Sequence, residues 1–282
     1  QAALGAVLPG DTIRIESGDY WEDLVTTRDG TKDARITIEG AGGAGGREDV
    51  VLRGTGTEQK MFQVKHDYYT LQHFTIDGLV VHDEEDANDD NFEDAYRDIP
   101  LYVTAGREPL ERSGGYKSAL DGLIVHEMLI QNAGSECIRL RDFVTHAAID
   151  GNTIINCGVY DFVFGYREKN KNGEGIYIGT SSKQWDDGKN YSDDPDMCLG
   201  IVVKNNMIAT HVRSYRYEGV DVKEGCVGTV IMGNRISMQL DDDGGAIDSR
   251  ADGTIIQNNF VENTEGACIR VGGNIVDGRQ YG

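Results

Sequence analysis

The sequence predicts an all-β fold, a right-handed parallel β-helix with an asparagine ladder and ejected loops. Three observations carry this. A short Asn-centred pattern returns about every 25 residues. A second set of strands, alternating with period two, follows the Asn strands. Glycine is abundant and proline scarce, 37 against 4 in 282 residues, as in a chain that turns a corner every several residues. A β-sandwich and a propeller are the competing architectures.

The Asn pattern is two apolar residues, two variable positions, Asn, one variable position and an apolar residue. It reads AIDGNTI around Asn152, VVKNNMI around Asn206, VIMGNRI around Asn234 and IIQNNFV around Asn259. Degenerate copies are TLQHFTI, with Phe74 at the Asn position, and IVHEMLI, with Met128 there. The two steps of 54 residues, Phe74 to Met128 and Asn152 to Asn206, contain an extra coil or a long insertion. Stacked Asn amides bond to one another and to the corner backbone, and Asn tolerates the left-handed conformation corners need. Each coil buries its apolar residues only by stacking on its neighbours.

The second strands are CIRLR from Cys137, GIYIG from Gly175, GVDVK from Gly219, AIDSR from Ala246 and CIRVG from Cys268. The N-terminal PGDTIRIESGDYWE reads as strand, turn, strand, and RITIEG and VVLRG supply further rungs. The acidic segment near 83–98, REKNK at 167–171 and the stretch near 181–195 interrupt the pattern and are expected as ejected loops. The acidic segment lacks EF-hand ligand spacing, so it reads as a solvated loop. The chain opens at Gln1 and ends in mid-pattern at Gly282. It is expected to be one β-helix domain, 1–282, trimmed at both ends.

Hydrophobic residues are 39% and the formal charge is −21. Composition excludes collagen and wholesale disorder, and no apolar run reaches the ~20 residues of a membrane span. The acidic balance excludes a nucleic-acid partner, which needs a basic surface. It permits divalent cations and a local basic site. Five cysteines, Cys137, Cys157, Cys198, Cys226 and Cys268, are sparse and without a C-x-x-C pair. Most are expected to be small buried hydrophobes. A sequon at Asn190-Tyr191-Ser192 points to a secreted or cell-surface protein.

Aligning the second strands predicts a site. Ile138, Ile176, Val220, Ile247 and Ile269 form one inward column, and Leu140, Ile178, Val222, Ser249 and Val271 another. Arg139, Tyr177, Asp221, Asp248 and Arg270 face outward between them, followed by Arg141, Gly179, Lys223, Arg250 and Gly272. Glu174 and Glu218 hold equivalent places before their strands. Coils lie about 4.8 Å apart, so Lys223 stands beside Arg250, with Asp221 and Asp248 alongside. Five basic residues on one face of an acidic chain read as a local inversion of sign. The five coils span roughly 19 Å, room for several sugar units. A surface salt-bridge lattice is the plain alternative.

The chemistry this suggests is β-elimination on an acidic polysaccharide. Lys223 is the candidate base, with Arg250 lowering its pKa and forking to the substrate carboxylate. Arg139, Arg141, Tyr177 and Arg270 are candidate substrate contacts. Glu174, Glu218, Asp221 and Asp248 are hard oxygen ligands of the kind calcium prefers. Tyr177 is read as a stacking ring or an acid, and Trp185 as a sugar platform or a loop anchor. His126 and His146 read as structural. His211 is a weak site candidate, and His66, His73 and His82 lack a metal-ligand spacing.

At these residues the sequence resembles the parallel β-helix polysaccharide lyases, most closely the chondroitinase B and alginate lyase family. The resemblance lies in EGVDVKEGCVGTVIMGNRI and GGAIDSRADGTIIQNNFV, with PGDTIRIESGDY like the family's opening coil. It implies a calcium-assisted lyase with Lys223 as base, Arg250 assisting and Glu218 helping to hold calcium. Ala251-Asp252 stands where the family has His-Gly. VDVKEG also resembles pectate lyase-like β-helix proteins. Polygalacturonase-type hydrolases are disfavoured, because neither Gly-His-Gly nor Arg-Ile-Lys occurs. A non-catalytic carbohydrate-binding or structural cell-surface β-helix protein remains the alternative.

Overall fold

A computed structural model describes residues 1–55, 59–79, 96–105, 109–110, 115–116, 119–159, 173–185, 196–209, 218–237, 244–276 and 278–281. Three eight-stranded parallel sheets run the length of the chain, one strand per coil in each. The first sheet starts at Thr12–Ile15 and ends at Ile255–Gln257, and the second runs from Gly18–Tyr20 to Phe260–Glu262. The third runs from Leu24–Val25 to Ala267–Val271. This is the parallel β-helix. The N-terminal reading holds, with strands Thr12–Ile15, Gly18–Tyr20, Ile36–Gly40 and Val50–Leu52. A five-residue helix, Ala2–Ala6, was not foreshadowed by any helical periodicity, and it tucks Leu4 into the end of the core.

The aligned columns are the observed register. In the third sheet Ile138 pairs with Ile176, Ile176 with Val220, Val220 with Ile247 and Ile247 with Ile269. The first four are fully buried, while Ile269 at the end of the stack is exposed. Both 54-residue steps are single coils with long insertions, not extra coils. Thr70 pairs directly with Ile124, and Ala148 with Val202. Most of the acidic segment, all of REKNK, residues 186–195 with the sequon, His82 and His211 lie outside the described residues.

The asparagine ladder occupies the corner between the first and second sheets. Asn206 Oδ1 accepts from the Asn152 amide and from Asn152 Nδ2, each at 2.9 Å. Asn206 Nδ2 donates to the Ile149 carbonyl and to Asn234 Oδ1, each at 2.9 Å. Asn234 repeats the arrangement with Asn259. The left-handed residue is not the ladder Asn. It is the residue before it: His73, Glu127, Gly151, Asn205, Gly233 and Asn258 all have positive φ. The ladder Asn thus satisfies buried donors and acceptors, and its neighbour makes the turn.

The cysteine expectation holds in part. Cys198 and Cys226 are buried thiols and Cys268 is exposed, but Cys137 and Cys157 form a disulfide. Their chain spacing gave no sign of it, because the fold brings together the lead-in to a third-sheet strand and the exit from a second-sheet strand. No helix among the described residues is long and apolar enough to cross a membrane.

The ladder makes a quantitative prediction. Each of these buried hydrogen bonds contributes about 1 kcal/mol net, and orphaned partners cost more. Asn206→Ala should lower unfolding free energy in urea by about 3 kcal/mol, with Asn259→Ala, nearer solvent, costing less. Equal, small losses at both positions would show that the ladder does not hold the corner.

Candidate active site

The site is built on four successive third-sheet strands, Ile138–Arg141, Ile176–Ile178, Val220–Val222 and Gly245–Ser249, with Ala267–Val271 flanking. Period-two alternation sends Arg139, Tyr177, Asp221, Asp248 and Arg270 away from the core. Their register matches the sequence alignment, with Arg139 opposite Tyr177, Tyr177 opposite Asp221, Asp221 opposite Asp248 and Asp248 opposite Arg270. The Lys223 amide bonds to the Ile178 carbonyl and the Arg250 amide to the Val222 carbonyl, both at 2.9 Å. Lys223 and Arg250 therefore stand on neighbouring coils. Gly179, at φ 88°, holds the equivalent place before Lys223. A Cβ there would lie 2.4 Å from Cys226 Sγ.

Facing outward is not the same as being exposed. Asp221, Asp248 and Tyr177 have no accessible surface, and Lys223 keeps only 6%. Long basic side chains fold over the sheet and bury the short acids beneath them. Lys223 Nζ contacts Asp221 Oδ2 and lies 4.7 Å from the centre of the Tyr177 ring. Arg139 lies 4.8 Å from the same ring and pairs with Glu136 Oε1 at 3.2 Å. Arg250 reaches Asp221 at 3.5 Å and Glu224 at 3.6 Å. Arg270 reaches Glu218 at 3.0 Å and also contacts Asp248.

Three readings change, and the two alternatives for Trp185 are resolved. Tyr177 is clasped between two cations, its hydroxyl accepting from the Ser181 amide at 3.3 Å, so it offers no face to a sugar ring. Arg141 is buried with Asp142 at 3.7 Å rather than extended as a carboxylate-binding arm. Trp185 is buried, and its Nε1 donates to the Thr180 carbonyl at 3.0 Å, which makes it a loop anchor. The inversion of sign also fails. Glu136, Glu174, Glu218, Asp221, Glu224 and Asp248 surround Arg139, Lys223, Arg250 and Arg270, so the face is acid-rich. Glu136 and Glu224 were missed. Both were legible: Glu136 stacks in the column of Glu174 and Glu218, and Glu224 follows Lys223 in the motif.

Six carboxylates against four cations leave a formal excess of two negative charges, and the protein answers with protons. Burial, then the charges of Asp221 and Glu174, pushes the Glu218 carboxyl up to about 10. Burial also drives Glu174 well above the usual range, with Lys223 opposing and Glu136 and Asp221 reinforcing. Asp221 is held low: burial opposes ionisation, but Lys223 and Arg250 outweigh it. The expectation of a lowered Lys223 pKa is corrected. Burial and Arg250 do pull it down, yet Asp221, Tyr177 and Glu174 outweigh them and hold Lys223 charged above its ordinary value.

Glu174, Glu218 and Asp221 place carboxylate oxygens within 4.8 Å of one another. Glu174 Oε2 is buried without a hydrogen-bond partner among the described residues. This donor set fits a hard divalent cation, whose charge equals the local excess. Asp248, also read as a ligand, lies outside the three-residue group and is engaged by Arg270.

The raised Glu218 carboxyl fixes a pH dependence. The folded state holds a proton that the unfolded chain releases near 4.5, so stability falls as pH rises from there toward about 10. In chelator, the melting temperature should drop between about pH 5 and about pH 9, and Glu218→Gln should flatten the slope. Calcium should raise it most at the alkaline end. A slope unchanged by Glu218→Gln would show that another group carries the proton.

No protein-family model matches the chain, and no curated protein does. In structure it is similar to an alginate lyase from Paenibacillus sp. str. FPU-7, with a TM-score of 0.64 and 21% identity over 93% of this chain and 72% of that one. It is also similar to the pectate lyase Pel9A, with a TM-score of 0.55 and 11% identity over 93% of this chain. It spans only 56% of that enzyme's length. The shared feature is the fold, the parallel β-helix on which both of those polysaccharide lyases are built.

Proposed function

We propose that the chain is a calcium-assisted polysaccharide lyase acting on a uronate-containing acidic polysaccharide by β-elimination. The observation that carries this is Lys223 and Arg250 side by side on adjacent coils, above an acid group short of positive charge. Fold likeness to an alginate lyase and a pectate lyase supports it. The Cys137–Cys157 disulfide supports a secreted or cell-surface location, since disulfides persist in oxidising compartments.

In this reading Lys223, once parted from Asp221 and neutral, takes the proton from C5 of a uronate. The C5–H electrons form the C4–C5 double bond, the C4–O bond breaks, and the departing oxygen takes up the proton that Lys223 has removed. Arg250, less buried than Lys223, forks to the substrate carboxylate and stabilises the enolate-like charge. Glu174, Glu218 and Asp221 would hold calcium. Bound calcium would supply positive charge against those carboxylates and the substrate's own. Asp221 sets the poise of the base: while its charge is spent on Lys223, the amine keeps its proton.

One observation favours a non-catalytic β-helix protein. Lys223 is charged, paired and nearly enclosed, as in a structural ion-pair network. Ultraviolet absorbance of the unsaturated product on pectate, alginate, dermatan sulfate and glucuronan, with and without calcium, separates the two. A lyase should give signal on at least one polymer. Lys223→Ala should then lower turnover by about 10²-fold or more while binding persists. No product on any polymer would leave the binding protein as the reading, and activity retained in Lys223→Ala would remove Lys223 as base.

A further inference from the structure

We propose a second metal site, of the zinc class, formed by His73, His126 and Glu127 at the corner between the first and second sheets. It is separate from the acid group on the third sheet and does not depend on the lyase reading.

The fold assembles it from two coils. Strand Tyr69–Gln72 pairs with strand Ile124–His126, Gln72 opposite His126, so His73 falls opposite Glu127 in the left-handed column. His73 Nε2 lies 3.0 Å from Glu127 Oε2, and His126 Nε2 lies 3.7 Å from Glu127 Oε1. The three ligand atoms lie within 4.8 Å of one another. Ligand atoms around one tetrahedral zinc, at ~2.0–2.1 Å from the ion, stand roughly 3.3 Å apart. Small side-chain adjustments therefore suffice.

The hydrogen bonding prepares the imidazole. His126 Nδ1 lies 3.2 Å from the Asp150 carbonyl, which can only accept, so Nδ1 carries the hydrogen. In the neutral ring the lone pair is then on Nε2, facing a carboxylate oxygen that also only accepts. A metal ion between the two would satisfy both at once. A carbonyl that fixes the tautomer of a metal-binding His is the usual outer support of such a site. Two imidazoles and one carboxylate select a zinc-like transition ion over calcium. All three side chains reach solvent, at 20%, 36% and 39% exposure, leaving room for water as a fourth ligand. The ion would clip two coils whose ligands are 54 residues apart in the chain.

The test uses the whole chain, stripped with chelator and then kept in calcium to saturate the acid group. Zn²⁺ is titrated by calorimetry, and Co²⁺ by its visible ligand-field bands. One equivalent should bind, with a rise in melting temperature. His126→Ala and Glu127→Gln should each weaken binding by at least about tenfold, since even outer-shell changes cost 10–100-fold. His73→Asn should do the same, and Asn keeps the left-handed backbone accessible if the other variants fail to fold. Glu218→Gln should bind as the parent does. Absence of binding in the parent, or equal binding in His73→Asn, would overturn the site and leave only the His73–Glu127 hydrogen bond.

Discussion

Every feature of this molecule depends on coils stacking in one register. A single coil has too few apolar residues to bury them alone. In a period-two strand, a slip of one residue would turn Val220, Val222 and Ile247 outward and Asp221 and Asp248 into the core. The Asn152–Asn206–Asn234–Asn259 ladder opposes such slips, because its amides fit only when coils align. The third sheet inherits that register from a corner on another side of the coil. Lys223 meets Arg250 because the asparagines meet each other.

Charge balance is the second constraint, and it follows from the first. Stacking places Glu136, Glu174 and Glu218 one above another and Asp221 beside Asp248, arrangements that repel in a low-dielectric setting. The four basic side chains cannot neutralise six acids. The remainder is met by retained protons, as the raised Glu174 and Glu218 carboxyls show. A site that must keep protons or take up a cation couples its stability to pH and to divalent ions.

How much of this was legible in the sequence depends on what periodicity reports. It reported strands, columns and the ladder, because apolar alternation and recurring Asn are one-dimensional signals. It also placed Lys223 next to Arg250. It did not report burial, since alternation says on which side of a sheet Tyr177 or Asp221 lies but not that Lys223 and Arg139 fold across them. It gave no sign of the Cys137–Cys157 bridge, because linear spacing is a poor guide to proximity in a solenoid. The same alignment, carried from Gln72 and His126 one residue onward, contained the histidine pair.

Pairing of the site's cations also bears on how an acidic polymer would be received. On the lyase reading, a polyanion must approach a chain of net charge −21. The cations it would meet are engaged by carboxylates. Arg270, at 41% side-chain exposure, and Arg250, at 22%, are more open to solvent than Lys223, at 8%. A substrate carboxylate would therefore engage the outer arginines first. Drawing Arg270 from Glu218, or Arg250 from Asp221, leaves those acids in greater need of a cation. Substrate binding and cation binding would thus strengthen each other, and by linkage the effect is reciprocal. In such a site the acid excess is the means by which a polyanion and a divalent ion are held together.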